Sequence, residues 1–91
     1  MATRLVLGEK LDSAAADGLR DDILAAQSDD IVVDASHVGM IGGLCLEVLM
    51  SAHHLWGQNG KSFTLENPTA DMIENLGRFG LAENYFERDV A

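Results

Sequence analysis

Basic residues, cysteine, proline and aromatic residues are all scarce in this 91-residue chain. Six lysines and arginines stand against fifteen aspartates and glutamates, which gives a formal net charge of -9. This charge repels nucleic acids and anionic membranes, so we expect neither as a partner. The single cysteine, Cys45, excludes an internal disulfide and suits a reducing compartment.

Long apolar runs are missing as well. No stretch approaches the length that crosses a bilayer, and the N-terminus lacks the basic and apolar sections of a signal peptide. We therefore expect a cytoplasmic protein. The 47% share of hydrophobic residues is sufficient for a core, and the length predicts one domain over residues 1–91.

The spacing of apolar residues predicts strands and helices in alternation. Strands are predicted over residues 3–7, 31–33 and 61–66, and helices over residues 14–27, 44–56, 68–79 and 82–88. In the third helix, Asn67 is the predicted cap, and the buried face is predicted to carry Met72, Ile73, Leu76 and Phe79. The last helix would bring Tyr85 or Phe86 against the core. This order predicts a small open α/β sheet with helices mainly on one face.

The helix over residues 44–56 is apolar almost all the way round. Its polar exceptions recur four, three and four positions apart and define one solvated stripe: Glu47, Ser51, His54 and Gln58. Gly42 and Gly43 lie where this helix begins. Because glycine has no side chain, the backbone N–H groups of the first turn would form an exposed surface there.

The glycines do not form a nucleotide-binding motif. Gly39, Gly42 and Gly43 miss the G-x-G-x-x-G spacing of dinucleotide-binding turns, and the P-loop pattern is absent from the sequence. A tight turn and close helix packing explain these glycines more simply.

The reactive side chains do not form a catalytic set either. Cys45 lies off the solvated stripe between two leucines, which favours a packed thiol. His53 and His54 are helix neighbours that point about 100° apart, so we expect no metal site. Asp34 is expected to cap its own turn through hydrogen bonds to the backbone.

Five short motifs in the sequence resemble those of a single protein family. Residues 5–12 carry a strand and a glycine-to-aspartate step into a helix, and residues 31–38 a strand followed by a D-x-S-x-V turn. Residues 41–49 look like a loop and helix of the form M-D-S-S-G-L-G-V-L, although several positions differ, while residues 60–63 and 76–81 resemble a late strand and an L-x-x-x-G-L turn. Together they resemble STAS domains, the family of bacterial anti-sigma factor antagonists.

The resemblance implies a parallel sheet core and the absence of the family's first edge strand. In the family, a kinase that is also the anti-sigma factor phosphorylates a serine at the head of this helix. Gly43 occupies that position here, and Gly42, Leu44 and Cys45 replace the neighbouring acid, serine and glycine. A phosphate brings nearly two negative charges, and Gly43 has no hydroxyl to accept one. We therefore expect the phosphorylation switch to be missing at its usual place.

These observations predict a non-enzymatic signalling domain that binds a partner protein and needs no cofactor. The resemblance implies an anti-sigma factor or histidine-kinase-like protein as the partner. A looser likeness in residues 49–52 and Trp56, to short STAS proteins found beside chemotaxis genes, implies a chemotaxis component. We expect a monomer or weak homodimer. The predicted contact residues lie in the loop over residues 36–43 and on the helix after it: Ser36, His37, Met40, Gly42, Gly43, Glu47, Ser51 and His54.

Two functions of other classes stay open. One is a small-ligand sensor that holds an anionic metabolite or nucleotide at the helix N-terminus near Gly42 and Gly43. The acidic chain, with no lysine nearby, weighs against it. The other is a cysteine-dependent enzyme that uses Cys45, against which the flanking leucines weigh.

Overall fold

The computed structural model describes residues 2–82 and 85–87. In chain order, the strands are β1 (Ala2–Val6), β2 (Lys10–Leu11), β3 (Asp30–Asp34), β4 (Met40–Ile41) and β5 (Phe63–Glu66). The helices are α1 (Ala16–Leu24), α2 (Gly43–Gln58) and α3 (Ala70–Arg78), with 3-10 turns at Ser13–Ala15 and Tyr85–Glu87. The main sheet has the order β1-β3-β5, and β2 pairs with β4 in a second sheet. All of these pairings are parallel.

Within residues 2–82 and 85–87, the helices cover one face of the main sheet. Ile31 and Val33 of β3 are fully buried and pair with Phe63 and Leu65 of β5, which are buried too. Val32, between the two, is only half-buried and points to the other face. Since successive strand residues alternate between faces, the helices pack on the Ile31 side. The predicted open parallel sheet with helices on one face is confirmed.

The first helix is shorter than the predicted span of residues 14–27. Its start is a 3-10 turn in which the Ala15 N–H donates to the Asp12 carbonyl over 3.0 Å, and α1 begins only at Ala16. Leu19 and Ile23 are buried, as the helical spacing predicts.

Helix α2 supplies much of the core. Its buried residues are Cys45, Leu46, Leu49, Ala52, His53 and Trp56. The indole N–H of Trp56 donates to the carbonyl of Asp29 over 2.8 Å, which ties the helix to the end of the α1–β3 connection. Two leucines that share another side of the helix remain open to solvent, since Leu44 is 52% exposed and Leu55 38% exposed.

Helix α3 differs from the prediction at both ends. The cap is Thr69 rather than Asn67, because the Thr69 hydroxyl oxygen accepts the Met72 N–H over 3.1 Å. Phe79 is not on the buried face: it follows the last helical residue and is 50% exposed. The chain turns at Gly80, which has a φ of 77°, and the Leu81 N–H returns to the Leu76 carbonyl over 3.0 Å. This left-handed C-terminal turn directs Phe79 outward.

The predicted final helix lies partly outside the described residues. Within them, Tyr85–Glu87 forms a 3-10 turn. Phe86 is buried and Tyr85 half-buried, so the predicted aromatic contact with the core is confirmed. The ring of His53 packs against both of them, with centroid distances of 5.6 Å to each.

Candidate functional site

The side chains of Asp34 and Thr69 anchor the loop after β3. The Ser36 N–H donates to the Asp34 carboxylate over 3.0 Å, which is the turn-capping role predicted for Asp34. Further along the loop, the Thr69 hydroxyl donates a hydrogen bond to the carbonyl oxygen of the buried Val38 over 2.6 Å. The loop is therefore fastened both to its own strand and to the start of α3.

The second half of the loop is held by β2. The N–H groups of Gly39 and Met40 both donate to the Glu9 carbonyl, over 2.7 and 3.1 Å, and the Gly42 N–H donates to the Leu11 carbonyl over 2.8 Å. At Gly39 a Cβ atom would lie 3.2 Å from the Glu9 side chain and 3.3 Å from the Glu9 carbonyl oxygen, which is closer than ordinary contact. These contacts fix the position from which α2 starts.

Helix α2 begins at a bare backbone end. Gly42 is its cap, in an extended conformation with φ -90° and ψ 173°. Glycine offers no side-chain oxygen to the N–H groups of the first turn. Gly43 is exposed and Gly42 half-buried, so this end of the helix is open to solvent.

An aromatic ring borders Gly43. A Cβ atom on this glycine would lie 3.6 and 3.8 Å from two carbons of the Phe79 ring, which is ordinary contact. Half-exposed apolar side chains also flank the glycines in sequence, namely Met40, which is 39% exposed, and Leu44. We call Met40, Gly42, Gly43, Leu44 and Phe79 the α2 N-terminal surface. The contribution of Phe79 could not be found from the helical spacing, which predicts it as a core residue.

The eight predicted contact residues lie on two neighbouring elements, the loop after β3 and helix α2. Ser36 and His37 are exposed in the loop. Glu47 and Ser51 are exposed too, but they line a groove of about 650 Å³ between α1 and α2. His54 is exposed further along α2.

Cys45 is unsuited to nucleophilic chemistry. Its side chain is fully buried, and its thiol lies 3.3 Å from the Asp12 carbonyl. Burial, together with the negative charge of Asp12, raises the pKa of this thiol. The reactive thiolate is therefore disfavoured, and the packed-thiol interpretation is confirmed.

The histidines and acids do not gather around a common centre in the described structure. His53 is buried and its neighbour His54 exposed. Across residues 2–82 and 85–87, no group of three or more histidines, cysteines and acids is placed to hold a metal ion. Nor does any helix in those residues have the length and apolarity needed to span a bilayer.

An ion-pair cluster lies on the uncovered face of the sheet. The Arg4 guanidinium on β1 is 2.9 Å from the Asp34 carboxylate on β3 and 3.0 Å from the Glu66 carboxylate on β5. Hydrogen bonds from the Ser36 N–H and hydroxyl, and then the Arg4 charge, lower the pKa of Asp34 to about 2. The ionised form of Asp34 is thus favoured by folding.

We expect Asp34→Asn to reduce the loss of stability in acid. A carboxylate whose pKa is depressed in the folded state stabilises the fold above its unfolded pKa, and that contribution disappears as the pH falls from about 4 towards 2. The variant should have a lower Tm at neutral pH and a shallower decline of Tm below about pH 4. Thermal melts followed by circular dichroism test this, with Asp22→Asn on the exposed side of α1 as the control. Parallel acid profiles for all three proteins would contradict the assignment.

Comparison with known proteins agrees with the architecture. A family model described as "Mlab, STAS domain" matches residues 1–87, which include every strand and helix given above. No curated protein and no solved structure matches the chain. STAS domains are in general signalling and regulatory domains that interact with other proteins. The match extends over more than half of the sequence and agrees with the five short motifs, so the chain belongs to the STAS domain family.

Proposed function

We propose that this chain is a non-enzymatic bacterial regulatory domain that binds a signalling protein through its α2 N-terminal surface. The observation that carries the proposal is the open position of Gly43 at the head of α2, beside the half-exposed ring of Phe79. The partner would be an anti-sigma factor, a histidine-kinase-like protein or a chemotaxis component.

The surface offers three kinds of contact. The two glycines allow a partner backbone to approach the start of α2 closely. Phe79 supplies an aromatic ring and Met40 a flexible apolar side chain, both half-exposed. The N–H groups of the first helical turn can donate to a carbonyl or carboxylate of the partner. Together these contacts favour a protein partner over a small anion.

The surface is organised before binding. The loop that leads to it is held by backbone hydrogen bonds to Glu9 and Leu11 and by the Thr69 hydroxyl, over distances from 2.6 to 3.1 Å. A fixed surface loses little conformational entropy when a partner binds.

Binding would not be interrupted by phosphorylation at the helix head. Gly43 stands where the family resemblance places a phosphorylated serine, and glycine cannot carry a phosphate. Control would then come from the supply of the partner or from modification at another residue, with Ser36 and Ser51 both exposed.

The decisive variant is Gly43→Glu. It places a negative charge where phosphate would act in the family, and we expect the Kd for the partner to rise at least about tenfold. The fold should tolerate the side chain because Gly43 has no left-handed φ and a Cβ atom fits beside Phe79. An acidic residue at a helix N-terminus even stabilises the helix. The partner is first captured with the wild-type protein from extracts of the source cell, and Kd is then measured by calorimetry with both proteins purified.

Two further variants make the result specific. Gly43→Ala keeps the surface uncharged and should bind within about threefold of the wild type. Gly77→Glu adds the same charge on α3, where the added Cβ meets no neighbour within 4 Å among the described residues outside the helix's own backbone, and should also bind normally. If Gly43→Glu binds the partner as tightly as these controls, the α2 N-terminal surface is not the contact site.

A further inference from the structure

The groove between α1 and α2 is unusually apolar for a surface feature. Three half-exposed leucines line it: Leu24 from α1, which is 44% exposed, and Leu44 and Leu55 from α2. Val48 lies between the last two along the helix and lines the groove as well. Exposed apolar side chains that converge on one groove are suited to contact with an apolar surface of another molecule.

The dimensions of the groove suit a helix. Leu44 and Leu55 are eleven positions apart on α2, which corresponds to about 16 Å along the helix axis, or three turns. Val48 and Ser51 fall at the intermediate positions of the same side, and both line the groove. A partner helix that presents apolar residues at spacings of three and four could lie along this row.

The charges around the groove select the partner. Three charged side chains line it: Asp17, Arg20 and Glu47. The guanidinium of Arg20 is already 4.0 Å from the Asp17 carboxylate and 3.9 Å from the Asp21 carboxylate. The walls are therefore acidic on balance, and they belong to a chain of net charge -9. Lysine or arginine on a partner would be attracted to them.

We propose that this groove binds an amphipathic helix of the partner protein, with an apolar face of leucine-like residues and basic residues on its flanks. The proposal deepens the proposed function, because Leu44 belongs both to the groove and to the α2 N-terminal surface and makes the two continuous. Glu47 and Ser51, which also line the groove, then contact the same partner further along α2. A second copy of the chain fits less well, since it would bring two acidic surfaces together.

The test uses a designed peptide as the probe. The peptide is labelled with fluorescein, has about 14 residues, and repeats leucine at spacings of three and four with lysines on both flanks. Its control replaces every lysine with glutamate. In fluorescence anisotropy we expect saturable binding of the lysine peptide, at least about tenfold weaker binding of the glutamate peptide, and weakening by added salt.

Two protein variants locate the binding. Leu55→Lys places a positive charge, like those of the lysine peptide, inside the groove. It should weaken binding of that peptide at least about tenfold. Val6→Lys makes the same change of charge at a side chain that is 52% exposed on the uncovered face of the sheet, and should bind within about twofold of the wild type. Both positions are open to solvent, so neither variant is expected to unfold.

Several results would overturn the proposal. Absence of saturable binding, equal binding of the two peptides, or equal effects of the two variants would each do so. A homodimer in sedimentation that Leu55→Lys dissociates would show that a second copy fills the groove instead. The peptide assay does not involve Gly43, so its failure leaves the calorimetric test of the α2 N-terminal surface standing, and the reverse is also true.

Discussion

Replacing Trp56 with alanine is expected to lower the free energy of unfolding by about 3–5 kcal/mol. The indole is 1% exposed, and its centroid lies 6.0 Å from that of Phe63 in an edge-to-face arrangement. The substitution leaves a cavity and also removes the hydrogen bond to the Asp29 carbonyl, which would then lose its buried donor. Because a domain of this kind is stable by only about 5–15 kcal/mol, a substantial unfolded population should appear on mild heating.

The measurement is urea unfolding followed by circular dichroism, since Trp56 is the sole tryptophan and its fluorescence disappears in the variant. The matched control is Leu55→Ala, the preceding residue on α2, whose side chain is 38% exposed. Leu55→Ala should lower the free energy of unfolding by less than about 1.5 kcal/mol. Similar midpoints for the two variants would mean that α2 does not face the core as described.

The two phenylalanines near the C-terminus should behave in opposite ways when replaced by alanine. Phe86 is 2% exposed and lies 5.0 Å from Tyr85, 5.6 Å from His53 and 6.3 Å from Phe63 between ring centroids. Its loss should cost about 3–5 kcal/mol of stability. Phe79 is half-exposed, so its replacement should cost less than about 1 kcal/mol.

Binding should show the reverse order. Phe79→Ala removes the ring beside Gly43 and should raise the Kd for the partner at least about fivefold. Folded Phe86→Ala protein should bind the partner with the Kd of the wild type. Stability is read from urea unfolding, and affinity from calorimetry at a temperature where both variants are folded. If Phe79→Ala leaves the affinity unchanged, this ring does not belong to the contact surface.

The layout of the main sheet could be predicted because the pattern of apolar and polar residues along each strand indicates which faces are buried. The β-branched run Ile31-Val32-Val33 marks the central strand, and the alternation from Lys61 to Glu66 marks a strand with one solvated face. Both patterns depend only on which residues touch water. The burial of Cys45 and the divergence of His53 and His54 followed from helical periodicity in the same way.

Other features depend on contacts that the local sequence does not encode. Strands β2 and β4 have two residues each, too few for a periodic signal, and exist because Glu9 and Leu11 meet the distant loop. The outward position of Phe79 results from the turn at Gly80, although the spacing from Leu76 fits a buried residue. Glu47 and Ser51 face a groove only because α1 packs alongside α2. The exposed head of α2 and the nearby Met40 were predictable, whereas the Phe79 ring beside them was not.

The space beside Gly43 has an evolutionary consequence. A Cβ atom there meets only the edge of the Phe79 ring at ordinary contact distance, and the backbone is one that any residue adopts. A serine could therefore replace this glycine without rearranging its neighbours. The hydroxyl that phosphorylation requires could thus be gained or lost at this position without a change in the backbone, so related domains could differ in that hydroxyl independently of their fold.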